Sequence, residues 1–295
     1  MRNRGLSRIL APAARHLPWL ACALCLHGIA IGFDYKLHDP DSTLYEAIVN
    51  QLADQPYSKW LAPQFPEQRF KSGLFLEHTA VFFWPAALLQ RLGVPRGALF
   101  ANTLYYLLSL AVLFRLCTSL ADRQVARLAT FSYVVSPLGV QYLVRANHEN
   151  AWGLAFLIGL LALVRMRSSP WWGVGLAGAA VLAVAIKGAL GLLFFPAMAI
   201  AWLLLSRRPR ELLWLAFAAA MVVLAAIGYE AAFRDLTGES FHASYLAIQT
   251  GYVAHHEQLG LGAKLLNPLY YLANIAWFAL PGSLLAGWGL WRGWG

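Results

Sequence analysis

Long apolar runs, more than any single motif, limit what this chain can fold into. Residues 15–33, 98–117, 126–144, 151–166, 171–186, 188–206, 212–232 and 266–290 are each dominated by Leu, Ala, Val, Phe and Trp. A bilayer core takes roughly 17 to 25 such residues as one crossing helix, because each residue advances an α-helix by about 1.5 Å. Eight stretches near that length predict an all-α polytopic membrane protein with about eight transmembrane helices, a single domain over residues 1–295. Composition agrees, since 59% of the 295 residues are hydrophobic and 13% charged, against roughly 25% charged in soluble domains.

A ninth apolar stretch, 78–94, is short, holds Pro85, and carries Gln90 and Arg91 near its end. The distribution of arginine decides how it lies. If 78–94 stays at the membrane surface, the basic N-terminus (Arg2, Arg4, Arg8, Arg15) shares a side with Arg115, Arg123, Arg127, Arg165, Arg167, Arg207, Arg208, Arg210 and Arg292. Only Asp122 and Glu211 of the 14 acidic residues fall on that side. If 78–94 crossed, every arginine-rich loop after it would flip outward, against the positive-inside rule. A long first outer loop, 34–97, and a late outer loop, 233–265, follow from the first arrangement. Within the first, Leu44, Tyr45, Ile48, Val49 and Leu52 recur at helical spacing, which predicts an amphipathic interfacial helix over 42–55.

The net charge of +9 comes mostly from arginines in short inter-helix loops. It therefore reports topology and argues against a nucleic-acid partner. Cys22, Cys25 and Cys117 are too few and too apolar in setting for a disulfide framework or a zinc site. The N-terminal run has only Ala30-Ile31-Gly32 as a cleavage signal, so it reads as an uncleaved first helix.

Polar groups capable of chemistry gather on the outer face. The first loop carries Asp39 and Asp41, then Arg69 and Lys71, then Glu77 and His78. The second is RANHEN, with Arg145, Asn147, His148 and Glu149; the third is Lys187-Gly188; the last has Glu239, His242, His255, His256 and Glu257. Each has a plainer reading. Asp41 reads as a helix N-cap and Thr43 to Glu46 as a capping box, while His148, Glu149 and the His255-His256 pair read as solvated loop residues. Lys187 resists this treatment, because it ends an apolar run where a charge costs a few kcal/mol without a partner. A phosphate would suit it as a point charge. There is no HExxH, P-loop or GxSxG, and no GxGxxG opening a helix after a strand, which disfavours nucleotide-driven chemistry and a zinc-protease site. An outward-facing enzyme without a nucleotide site needs a substrate activated elsewhere, and a lipid-linked phosphosugar meets that need.

The order of these motifs resembles the GT-C class of membrane glycosyltransferases, in particular glycosyltransferase family 39, the protein O-mannosyltransferases and lipid A aminoarabinose transferases. Four features carry the resemblance. Asp41-Ser-Thr-Leu-Tyr45, with Ala47 and Ile48 nearby, follows the first span. Glu77-His78-Thr-Ala-Val runs to Leu92-Gly93 across the surface segment. Glu149 sits in the second outer loop, and Lys187-Gly188 precedes an apolar span containing Pro196. The chain departs from the family in having Leu44 where an arginine is common, and in lacking the two prolines after His78. Family members are usually longer, so against the family the chain reads either as a fragment, with a further C-terminal region, or as a minimal member.

The resemblance implies a GT-C-like fold in a bacterial inner (plasma) membrane with the site facing the periplasm. It implies inverting transfer of a sugar from a polyprenyl-phosphate donor to a hydroxyl of a protein, lipid A or glycan acceptor. Asp41 would act as base and Glu149 would bind acceptor or sugar. Lys187, Arg145 and Lys71 would face the departing phosphate. Asp39, Tyr45, Glu77, His78, Asn147 and His148 would line the cavity. The resemblance fixes no cofactor, and the carboxylates leave a divalent cation open. A non-catalytic subunit, a transporter of lipid-linked sugars, and an O-antigen-type polymerase or ligase are the alternatives. A transporter would carry matched broken helices with ionisable groups at the midplane, whereas here the charges cluster at one surface.

Overall fold

The computed structural model describes residues 25, 40–64, 73–136, 139, 145–256, 269–270, 272–274, 276–277 and 282–284. The expected first and last spans, 15–33 and 266–290, lie largely outside the described residues. Helices account for nearly all regular structure: α1 (Pro40–Asp54), α2 (Trp84–Arg91), α3 (Gly97–Leu120), α4 (Arg123–Val135), α5 (Glu149–Arg165), α6 (Trp172–Lys187), α7 (Phe194–Leu205), α8 (Pro209–Thr237) and α9 (Phe241–His256). Among the described residues there is no strand, only an isolated antiparallel bridge between Gln64 and Leu74.

Among the described residues, three stretches, Gly97–Leu120, Trp172–Leu205 and Pro209–Thr237, are long and apolar enough to cross a membrane. The second is not one rod. Gly188 adopts φ 57° and ψ −130°, a conformation open to glycine and strained for other residues. The 3-10 segment Gly188–Leu193 then folds back along α6, so that a Cβ on Gly191 would lie 2.4 Å from the Ala183 carbonyl oxygen. Residues 172–205 therefore form a helical hairpin, with limbs matching the expected stretches 171–186 and 188–206. The expected run 126–144 also differs, because α4 ends at Val135 after 13 residues, where Ser136 turns extended before Pro137. A proline disfavours helical backbone at the residue before it.

Helices α4, α3, α5, α6 and α8 pack as successive neighbours, with α7 against α5 and α1 and α2 gathered at one end of α3. Between α5, α6, α7 and α8 the core is rich in small residues, including Ala155, Ala162, Ala179, Ala180, Ala183 and Ala218. Small side chains let helix backbones approach closely, which is how helices associate where the surroundings are as apolar as the interface. The outward side of α8 exposes Leu213, Phe217 and Leu224, an apolar surface suited to lipid.

The apolar stripe of α1 corrects an expectation. Tyr45, Ile48, Val49 and Leu52 are buried against Phe83, Ala86 and Ala87 of the following segment and Leu99 and Ala101 of α3. The helix spends this face on protein rather than lipid. It also starts at Pro40, so Asp41 and Thr43 lie inside the first turn instead of capping it; proline favours that first helical position. The surface segment 78–94 becomes a 3-10 turn, Ala80–Phe83, followed by the eight-residue α2, about 12 Å long at the helical rise and too short to cross a bilayer.

The two poles of the bundle differ in charge. The helix ends and turns that carry Arg115, Arg123, Arg127, Arg165, Arg167, Arg207, Arg208 and Arg210 lie at the end away from α1. Both acids on that end serve local structure. Asp122 caps α4 by accepting from the Gln124 and Val125 amides at 2.7 and 2.9 Å. Glu211 is buried and accepts from the Ser206 hydroxyl at 2.7 Å.

The hairpin generates a paired test. Gly191→Ala forces a Cβ into the backbone of α6 and is expected to lower stability by about 1–3 kcal/mol. Gly153→Ala, whose Cβ would meet nothing within 4 Å, is expected to be neutral or to stabilise α5 by up to about 1 kcal/mol. Thermal melts of the two variants in detergent micelles check both directions.

Candidate functional site

One pole gathers α1, the turn before α2, the loop before α5, and the end of α6 through side chains distant in sequence. The loop 145–148 is anchored from both sides. Ser42 of α1 accepts from the Ala146 amide at 3.0 Å. Asn102, a polar residue inside α3, donates its amide to the Arg145 carbonyl and accepts from Asn150 at 3.0 Å. The Asn147 side chain accepts from the Glu149 amide at 3.2 Å, which turns the chain into α5. The turn carrying His78 is held in the same way. Thr79 donates to the Ala185 carbonyl of α6, and the Ala80 amide donates to the Tyr229 hydroxyl of α8 at 3.0 Å.

The functional groups meet inside this frame. The Tyr45 hydroxyl lies 2.7 Å from His148 Nδ1 and 3.0 Å from His78 Nε2. A phenol has one proton to give, so it donates to one imidazole and accepts from the other. The two rings stand edge to face with centroids 4.7 Å apart. His148 Nε2 and His78 Nδ1 are buried without a hydrogen-bond partner. His148 Nε2 does lie 3.3 Å from Glu149 Oε1, out of line for a hydrogen bond. The same carboxylate oxygen accepts from Lys187 Nζ at 3.1 Å, and the ammonium sits 5.6 Å from the centroid of the Trp152 ring, within cation–π range.

Charge states follow from this geometry. Burial, followed by the nearby His148 and Lys187, pushes the His78 pKa well below its usual 6.5, so His78 is neutral at pH 7. For Glu149 burial acts to raise the pKa, but the adjacent His148 and Lys187 nitrogens outweigh it and hold the carboxyl at about 2. Glu149 is therefore a permanent anion, poorly suited to accept a proton near neutrality.

Of the residues singled out in the sequence, Tyr45, His78, His148, Glu149 and Lys187 form one connected cluster, and Asn147 fixes the turn that carries it. Asp41 is exposed and stands one helical turn before Tyr45, which puts both on one side of α1. Glu77 adjoins His78, and Arg145 contributes its carbonyl to Asn102. Asp39, Arg69 and Lys71 lie outside the described residues. His242 joins Glu230 instead of the cluster, its Nδ1 lying 2.9 Å from the Glu230 carboxylate. Sequence reading missed Ser42, Thr79, Asn102, Asn150 and Trp152. For Asn102 a signal existed, namely an amide within an apolar span. Among the described residues, no group of three or more His, Cys, Asp or Glu is placed to hold a metal ion.

Beside the cluster lies an apolar groove of about 1060 Å³ between α6, α8 and α9. Val181, Val184, Ala185, Val222, Ala226 and Leu246 line it, together with Thr79 and Gly188, which follow His78 and Lys187 in the chain. At its polar rim the Glu230 carboxylate accepts from the His242 amide at 3.0 Å and from Arg234 at 2.9 Å.

Two predictions follow from the electrostatics. Lys187 and Glu149 are only 14% and 26% exposed, so Glu149→Ala strands a poorly solvated ammonium and is expected to cost about 3 kcal/mol. The Glu149→Gln, Lys187→Met double variant is expected to recover most of that loss in detergent melts. Acid acts first through His78. The unfolded chain takes up its proton near 6.5 while the folded chain does not, so stability falls as pH drops below that value. Stability from Glu149 is complete above its usual 4.5 and is lost as pH falls toward about 2. Melting temperatures between pH 7 and 5 are therefore expected to fall for the parent and to flatten in His78→Gln.

Comparison of the chain with protein-family models, curated proteins and solved structures found no match.

Proposed function

We propose that this protein is a membrane glycosyltransferase that moves a sugar from a polyprenyl-phosphate donor to an acceptor hydroxyl at the outer face of the membrane, with inversion. One observation carries the reading: Thr79 and Gly188, the residues that follow His78 and Lys187 of the polar cluster, line an apolar groove about 1060 Å³ in volume. A reaction on a lipid-borne substrate needs this pairing, because the chain stays in apolar surroundings while the reacting group reaches polar ones. The motif order in the sequence supports the same chemistry independently.

In this reading the acceptor oxygen attacks the anomeric carbon opposite the phosphate. Its bond to carbon forms as the carbon–oxygen bond to phosphate breaks, the phosphate keeps that electron pair, and the acceptor proton goes to a base. The transition state is oxocarbenium-like. Asp41 is the base, since it is exposed on the α1 face that carries Tyr45. Glu149 serves as a fixed anion that orients Lys187 and binds sugar or acceptor hydroxyls. Lys187 offsets the charge growing on the departing phosphate, an interaction stronger in the transition state than in the ground state. His78, neutral, offers a hydrogen bond without changing the charge of the cavity. Arg145 and Lys71 belong to the same phosphate-facing set, and Asp39 is secondary. The sidedness rests on the arginine-rich pole being cytoplasmic.

Membranes containing the protein, given radiolabelled polyprenyl-phosphate sugars, are expected to form a labelled, lipid-free or acceptor-bound product. Asp41→Asn is expected to lower the rate by at least about 100-fold, the usual share of a general base, with the protein still folded. Near-parent transfer by Asp41→Asn removes the base assignment. Movement of intact donor across the bilayer without transfer makes the protein a transporter instead.

A further inference from the structure

The break after Lys187 is held by a residue from a helix that plays no part in the cluster. Beyond Gly188 the chain leaves the regular α-helical pattern, and the Ala189 amide donates to the Tyr245 hydroxyl of α9 at 2.8 Å. The hydroxyl end of the same ring abuts the turn, for a Cβ on Gly188 would come within 2.6 Å of the Tyr245 hydroxyl and the ring carbon that bears it. Tyr245 is nearly buried and belongs to the core cluster that contains Tyr45. It is therefore a wedge and a hydrogen-bond acceptor at the hinge that aims Lys187 at Glu149.

Helix α9 is also a wall of the groove. Phe241, His242, Tyr245 and Leu246 all line it. The helix packs against α8, where Glu230 binds the His242 amide and ring. Anything that fills the groove meets the face of α9 that carries Tyr245. Displacement of Tyr245 releases the Ala189 amide and with it the backbone that positions Lys187.

We propose that Tyr245 is the positioning residue for Lys187, and that through α9 it makes the placement of Lys187 depend on what fills the apolar groove. An isoprenoid chain entering the groove shifts Tyr245 and loosens Lys187 from Glu149, which frees the ammonium for a phosphate. This rests on the lipid-donor reading for its biological purpose, but its geometry does not.

Amine acetylation read by mass spectrometry on the full chain in micelles tests it, with Lys59 as the distant control. In the ligand-free protein, Tyr245→Phe removes only the acceptor for the Ala189 amide. Lys187 acetylation is expected to rise about five-fold, the worth of one net hydrogen bond, while Lys59 is unchanged. A polyprenol without phosphate is expected to raise Lys187 acetylation in the parent and to have no further effect in Tyr245→Phe. Unchanged Lys187 reactivity in ligand-free Tyr245→Phe, with an unaltered melting temperature, overturns the positioning role. So does a polyprenol response of equal size in both proteins. If Tyr245→Phe melts lower, Gly188→Ala, which presses on the same ring, must raise Lys187 acetylation in its place, and a failure there also overturns the role. Coupling with no sugar transfer from any donor removes the donor reading alone. Transfer with a Lys187 footprint blind to the polyprenol removes the coupling alone.

Discussion

The ion pair between Lys187 and Glu149 is the contact on which the functional pole depends. An ammonium at the end of an apolar helix is costly unless something nearby neutralises it, and Glu149 Oε1 does so at 3.1 Å. To be there, Glu149 needs the Asn147 turn, and that loop needs Ser42 on one side and Asn102 with Asn150 on the other. Helix α1 is in turn fixed by its apolar face and by Tyr45 between two imidazoles. The polar contacts thus form one chain from the first loop to the end of α6, each link held by the next.

That dependence divides the labour among the acidic groups. A carboxylate paired with Lys187 and held at about pKa 2 keeps its charge at every physiological pH, which suits orientation and binding more than proton transfer. The Asp41 carboxylate is exposed instead, one helical turn from Tyr45. The apolar groove lies close by, because Thr79 and Gly188, the residues after His78 and Lys187, line it. Sites for lipid-borne substrates need such a junction of apolar and polar walls.

Much of this was legible in the residues. Helix positions followed from apolar run length, and Gly97–Leu120, Trp172–Lys187 and Pro209–Thr237 fall close to the expected stretches. The α1 stripe was read correctly as helical, but its partner was misjudged, since periodicity identifies an apolar face and not whether lipid or protein covers it. Asp41 was read as a cap because Pro40 was not weighed as a first helical residue. The run 126–144 looked continuous because its composition hides the break that Pro137 imposes. Lys187 was expected to need a partner, and the partner proved to be a carboxylate of the chain itself.

What the sequence determined by itself is the all-helical character, the apolar lengths, the separation of arginine from acid, and the short list of residues able to do chemistry. These are properties of local composition and of spacing along one helix, where neighbours in sequence are neighbours in space. Only the tertiary structure decided that Tyr45, His78, His148, Glu149 and Lys187 touch, that Glu149 remains ionised, and that Tyr245 props the hinge beside them. Those contacts join residues far apart in the chain, and their energies depend on burial and on distances of about 3 Å that helix packing alone sets.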